Sequence, residues 1–218
     1  MRFFKADLRR AVREPGFLLA LALALACGLG PYFAAPGRMA AADRWLSGHD
    51  GLLPWVYPVL AALPYSLTSL RERESGMDKN IRLALGAGSY RMPRLAVVMF
   101  TGAAVVTAPV LLLSLLTGHF PRELVLAPLC GAAFSGLSAA LAAFNRRGYI
   151  PLLGPWVVCM LLTYAAPYLD SPALWPPLWW SPAIQPGWGS FTLACGVPAG
   201  MIALAVLITA LTREEDRL

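Results

Sequence analysis

Charge is scarce in this sequence. Acidic and basic residues occupy 14% of its 218 positions, and 58% of the positions are hydrophobic. Soluble domains carry about 25% charge. A water-soluble fold of this length has no interior large enough for that much apolar surface, so lipid must be its solvent. Lysine occurs twice, at Lys5 and Lys79. Neither stands in a GxxxxGK[ST] loop, which excludes ATP binding by that route. Histidine also occurs twice, at His49 and His119. Both are expected in external loops, without a second ligand at metal spacing, and so to be solvated. The cysteines, Cys27, Cys130, Cys159 and Cys195, lie inside apolar runs and form no CxxC or Cys/His cluster, so neither a disulfide nor a metal site is expected. The long apolar runs contain no Asp, Glu, Lys or Arg, the groups that proton-driven transporters need in the bilayer interior. Energy for any transport would therefore enter from elsewhere.

What is present is a series of charge-free windows: 15–37, 51–70, 95–121, 124–145, 148–169 and 171–212. A span needs about 20 apolar residues, so each of the first five windows predicts one helix. The sixth is too long for one. Its first half holds Pro172, Pro176, Pro177, Pro182 and Pro186 among Trp175, Trp179, Trp180 and Trp188. Proline-broken, tryptophan-rich sequence suits a re-entrant or interfacial segment, about 170–190, and leaves a last helix at roughly 191–211. The first apolar run leads into no cleavage site of the secretory kind. The expected fold is an all-α integral membrane protein of six transmembrane helices, a single domain over 1–218.

The net charge of +6 is explained by its placement and is no nucleic-acid signature. With the N-terminus in the cytoplasm, fifteen of the eighteen basic residues lie inside and only Arg38, Arg44 and Arg122 outside. That bias predicts cytoplasmic N- and C-termini in a multi-pass protein of the plasma or inner membrane. Residues 1–13 form an amphipathic pattern. Phe4, Leu8 and Val12 share one face, with Lys5, Arg9 and Arg13 opposite, as in a helix lying in the membrane interface. The charged stretch 71–94 interrupts the apolar blocks and carries a second, shorter stripe: Met77, Ile81 and Leu85 recur every fourth residue, with Arg82 off the stripe. A helix of about ten residues there is too short to span and too apolar on one face for water alone, so it is expected to meet a partner.

Other chemistry finds little support. Ser135 sits in Ala133-Phe134-Ser135-Gly136, which has a slight likeness to the serine motif of six-helix intramembrane proteases. The last helix holds no histidine to serve as base. The surrounding Gly131, Ala132, Gly136, Ser138 and Ala139 read better as a small-residue packing surface. Prolines in the second window (Pro54, Pro58, Pro64) and the fifth (Pro151, Pro155, Pro167) either bend helices along a pathway or start and stop them.

The whole pattern resembles the membrane subunits of type-2 ABC transporters, the ABC-2 permease family. The likeness lies in the amphipathic N-terminal segment (the family's elbow helix), six spans, the loop between the second and third spans, and the proline- and aromatic-rich external segment before the sixth. Its most specific part is Glu72-Arg73-Glu74-Ser75-Gly76, followed by the short amphipathic stripe and a basic residue opening the third span. Met77 stands where the family usually has threonine. The resemblance implies a permease subunit that is not itself an enzyme and holds no cofactor. Two ABC ATPase subunits would bind ATP and Mg, and a second permease subunit, identical or similar, would complete the pathway. Glu72, Glu74 and Gly76 would be the loop motif, and Met77, Ile81, Arg82 and Leu85 the coupling helix that meets the ATPase. The substrate would be hydrophobic or amphipathic, such as a lipid, peptide or antibiotic, with Tyr57, Tyr65, Trp156 and Tyr164 as candidates to line its path. A membrane subunit for haem or cytochrome assembly, or a non-transporting membrane anchor, are the alternatives.

Overall fold

The computed structural model describes residues 2–37, 39–76, 80, 87–144, 149–169, 175–180 and 191–215. Among the described residues there is no strand. The helices are α1 (Arg2–Arg13), α2 (Pro15–Ala34), α3 (Ala41–His49), α4 (Leu53–Glu74), α5 (Ala87–Thr117), α6 (Leu126–Phe144), α7 (Tyr149–Ala165), α8 (Pro177–Trp180) and α9 (Phe191–Glu215), with a 3-10 turn at Arg122–Val125 before α6. The all-helical, membrane-embedded class is thus as expected.

Among the described residues, four helices are long and apolar enough to cross a bilayer: Pro15–Ala34, Tyr90–Thr117, Leu126–Phe144 and Ala194–Leu211. The two other long windows are helical but meet the requirement less fully. In α4, 22 residues long, Pro58 and Pro64 lie inside the helix and Arg71-Glu72-Arg73-Glu74 ends it, so its apolar stretch is diluted. α7 has 17 residues, short of the ~20 of an ordinary span. The charge-free windows mark where apolar sequence stops, which is not where the helices stop. α4 runs past Leu70 to Glu74, and α5 begins at Ala87, ahead of Leu95. Both helices therefore extend into the charged stretch 71–94. Pro54 and Pro151 fall in the first turns of α4 and α7, where a missing N–H costs nothing; Pro167 lies beyond the end of α7.

α6 is the central helix, packing most extensively against α5 and then against α9, α4 and α7. Small residues bring it there. A Cβ added to Gly131 would stand 2.6 Å from the carbonyl oxygen of Gly102, and one added to Gly102 would stand 2.5 Å from the Ser135 side chain. The backbones of α5 and α6 are in contact at this point, the arrangement that small residues permit in membrane helices. Ser135 is fully buried and donates its hydroxyl to the Gly131 carbonyl at 2.9 Å. It is a packing residue, as its neighbourhood predicts.

Aromatic groups fill the core toward the α3 end. Tyr32, Trp45, Leu53, Tyr57, Phe134, Trp179 and Trp180 pack in one cluster. Trp180 meets the Tyr57 ring edge-on at 6.3 Å, and the Cys130 thiol donates to the Trp179 carbonyl at 3.4 Å. The tryptophans of α8 are thus inserted into the bundle and hold this part of the expected external segment against it. α3 is an element the charge-free windows do not reveal. Trp45 is buried and donates Nε1–H to Ser114 Oγ at 3.0 Å. His49 departs from the solvated state expected of it: it is 1% exposed. Its ring stacks on Trp45 at 4.3 Å, and Nδ1 lies 2.7 Å from the Asp50 carboxylate. The reason is spacing. Trp45, Gly48 and His49 occupy one face of α3, and that face is turned onto the bundle.

Candidate functional site

α1 is more than an apolar face opposed to a basic one. Asp7, the acid within it, is buried, and Arg10, one turn on, lies 2.8 Å from it. These two side chains point from α1 onto α4 and α5, where the extended helix ends hold Glu72 and Arg94. Both of those are buried, at 6% and 8% exposure.

The four residues form one cluster. Arg94 grips Glu72 with both arms of its fork: Nη1 donates to Oε1 at 3.1 Å and Nη2 lies 2.5 Å from Oε2. Arg10 pairs with the same Glu72 carboxylate from the α1 side. Asp7 stands 3.8 Å from Arg94. Arg94 also donates to the Tyr90 hydroxyl at 2.6 Å, and its guanidinium carbon lies 5.7 Å from the Tyr65 ring centroid. Two carboxylates and two guanidinium groups balance, so the cluster is neutral as a whole. A bidentate arginine–carboxylate pair fixes geometry as well as charge, and removing one member of such a buried group leaves its partner uncompensated, at about 3–5 kcal/mol. Beside the cluster is a cavity of about 20 Å³ whose surface is mostly apolar, bordered by Ala11, Pro64, Val97 and Val98 as well as Asp7, Tyr65 and Arg94.

The expected loop motif divides here. Glu72 is inside the cluster. Glu74 is exposed in the last turn of α4. Gly76 has φ +69°, the left-handed conformation that glycine supplies just beyond a helix end. Met77, Ile81, Arg82 and Leu85 lie outside the described residues. In α1, Phe4 and Leu8 are half-buried, and Val12 is exposed.

The residues considered for a pathway are not brought together. Tyr57 is fully buried in the core, and its hydroxyl has no hydrogen-bond partner among the described residues. Tyr65 lies eight residues further along α4, under Arg94. Trp156 and Tyr164 are on the outward face of α7. Within the single chain these four side chains therefore share no cavity, and a lining shared with a second subunit stays an expectation. Apolar aromatic character in a membrane protein does not tell a core position from a lipid-facing one.

Asp7, Arg10, Tyr90 and Arg94 are the site residues that amphipathic patterning does not single out. Their signal is the lone acid in a basic helix, followed at i+3 by an arginine, and an arginine just ahead of an apolar window. Comparison with protein-family models, curated proteins and solved structures finds no match. Among the described residues no group of His, Cys, Asp and Glu has the arrangement to hold a metal ion.

Proposed function

We propose that this chain is the membrane-spanning permease subunit of an ATP-driven exporter of the ABC-2 type. It crosses the membrane six times with both termini in the cytoplasm. It works with a second permease subunit and two ATPase subunits that bind ATP and Mg. Its substrate is hydrophobic or amphipathic.

The observation that carries this reading is the Glu72–Arg94 pair with Arg10 and Asp7 attached. A subunit without its own nucleotide site must receive motion from outside. The segment 75–86, between α4 and α5, holds the Met77/Ile81/Leu85 stripe, and a helix of that kind set into a partner's groove is a common mode of recognition. A push on that segment reaches α4 and α5 at the two residues that are locked together. Through Arg10 it also reaches α1. Through the close α5–α6 contact the motion would pass on to the rest of the bundle, and the whole subunit would move against its partner subunit, the rigid-body kind of transition that alternating access requires.

The test is co-purification followed by ATP turnover. The tagged full chain is expected to bring down a nucleotide-hydrolysing subunit. Ile81→Asp with Leu85→Asp is expected to lose it while still inserting into the membrane. Glu72→Gln is expected to retain the ATPase but to uncouple its turnover from substrate. Isolation of the wild-type complex without any ATPase, or retention of the ATPase by the double aspartate variant, rejects the proposal.

A further inference from the structure

On the exposed side of α1, sharing only Arg10 with the buried cluster, lies an open cleft of about 450 Å³ bordered by Ala6, Arg9, Arg10, Arg13, Glu14 and Pro15. Arg10 is committed to Asp7 and Glu72. Glu14 is paired with Arg71 at 3.1 Å. Arg9 and Arg13 are exposed, and neither makes an ion pair among the described residues. The cleft thus offers two guanidinium groups, one turn apart on α1, that are uncommitted among the described residues, and its acid is already answered.

The cleft stands where polar sequence gives way to a span. Pro15 borders it and is also the first residue of α2. From Pro15 an exposed stripe continues along α2 through Leu18, Leu19, Ala22 and Leu23 to Ala26, positions that recur at i, i+3 and i+4 on one face. The leucines of this stripe are about half exposed. A ligand that fits both parts is anionic at one end and a hydrocarbon chain at the other. From Pro15 to Ala26 the stripe is about 16 Å long, close to half the ~30 Å hydrocarbon core, the depth of one leaflet.

We infer that this cleft is a binding site for an anionic phospholipid. The headgroup phosphate lies between Arg9 and Arg13, and an acyl chain lies along Leu18, Leu19 and Leu23. Charge complementarity selects the anionic lipid over a zwitterionic one, because two cations face the cleft and, among the described residues, no free acid borders it. Guanidinium forks suit phosphate oxygens better than a lysine ammonium does. The inference goes beyond the transporter proposal and stands on membrane embedding alone.

The experiment uses the purified full chain in detergent with equal amounts of phosphatidylglycerol and phosphatidylcholine of the same acyl chains. Native mass spectrometry reads the lipid retained. The wild type is expected to retain phosphatidylglycerol preferentially, and Arg9→Gln with Arg13→Gln to lower that preference about tenfold. Arg9→Lys with Arg13→Lys is expected to keep it within about threefold of the wild type, since the charge remains. Lys5→Gln, on the same helix but outside the cleft, is expected to leave it unchanged. If the double glutamine variant does not elute as a single folded species, Arg9→Gln and Arg13→Gln alone, each losing about threefold, carry the same test. Equal retention of the two lipids by the wild type overturns the site, as does a loss in Lys5→Gln equal to that in the cleft variants. Displacement of the lipid by excess inorganic phosphate assigns the cleft to a free anion and overturns it too. None of these readings involves an ATPase, so the transporter proposal can fail while this one holds.

Discussion

Glu72 accepts from two arginines on two different helices, Arg94 of α5 and Arg10 of α1, and that makes it the residue on which the ion cluster turns. Desolvating four charged groups is expensive, and a buried ion pair often stabilises no better than apolar residues of the same shape. The benefit of this cluster is therefore specificity of position. The argument gives a quantitative expectation. Glu72→Leu leaves Arg94 without its bidentate partner and should lower stability by about 3 kcal/mol, a fall of roughly 10 °C in Tm for a chain of this length. Arg94→Met should cost a similar amount, because Glu72 loses its bidentate partner and keeps only Arg10. The double variant removes both charges and leaves Arg10 paired with Asp7 at 2.8 Å, so it should lose far less than the sum of the singles. Thermal unfolding followed by tryptophan fluorescence checks this; strictly additive losses would show that Glu72 and Arg94 do not act as a pair.

Among the helices, the α5–α6 contact depends on Gly102 and Gly131. At Gly131 an added Cβ meets backbone, 2.6 Å from the Gly102 carbonyl oxygen, and backbone cannot step aside without moving a helix. At Gly136 the obstacle is the terminal methyl of Met99 at 2.7 Å, and a methionine end can swing away. Gly196 and Gly200 on α9 face open space. Gly131→Ala should therefore lower Tm by about 5–10 °C, the range of an overpacking cost of ~2–3 kcal/mol. Gly136→Ala should lower it by less than half as much, and Gly196→Ala should leave it unchanged. The same thermal series in detergent checks the order, and an equal effect at Gly131 and Gly196 would remove the close contact from the account. The helices of the bundle were legible in the sequence because apolar runs and charge breaks are coarse, additive signals. α3 was not, since its buried face consists of Trp45, Gly48 and His49 within a stretch that also carries Arg44, Asp43 and Asp50. The ion cluster was half legible. Glu72 stands out by its local motif, whereas Asp7, Arg10 and Arg94 acquire their role only when three helices meet, and no local pattern records a meeting across the 22 residues from Glu72 to Arg94 or the longer stretch from α1.

For the molecule as a whole, α4 and α7 decide how many times the chain crosses. α2, α5, α6 and α9 have the length and composition of spans; α4 is interrupted by prolines and α7 is 17 residues long. If both cross, as proposed, the ends of the bundle sort into two sets. Leu46, Phe120 and Tyr168 then lie outside the cell, and Ser75 lies inside with the N-terminus. Leu46, Phe120 and Tyr168 are 41%, 59% and 91% exposed, and Ser75 is exposed just beyond α4, so each can carry a reporter without disturbing the core. Replacing them singly with cysteine, in a background where the four native cysteines are alanine, allows labelling by a membrane-impermeant maleimide. In intact cells Leu46→Cys, Phe120→Cys and Tyr168→Cys should label and Ser75→Cys should not; in inverted vesicles the pattern should reverse. Leu46 and Ser75 bracket α4, so labelling of both from one side would make α4 re-entrant. Phe120 and Tyr168 bracket α6 and α7 together. Should Tyr168→Cys label only from the side of Ser75, α7 does not cross, the six-span arrangement fails, and α9 must carry the C-terminus to the opposite side from the one proposed.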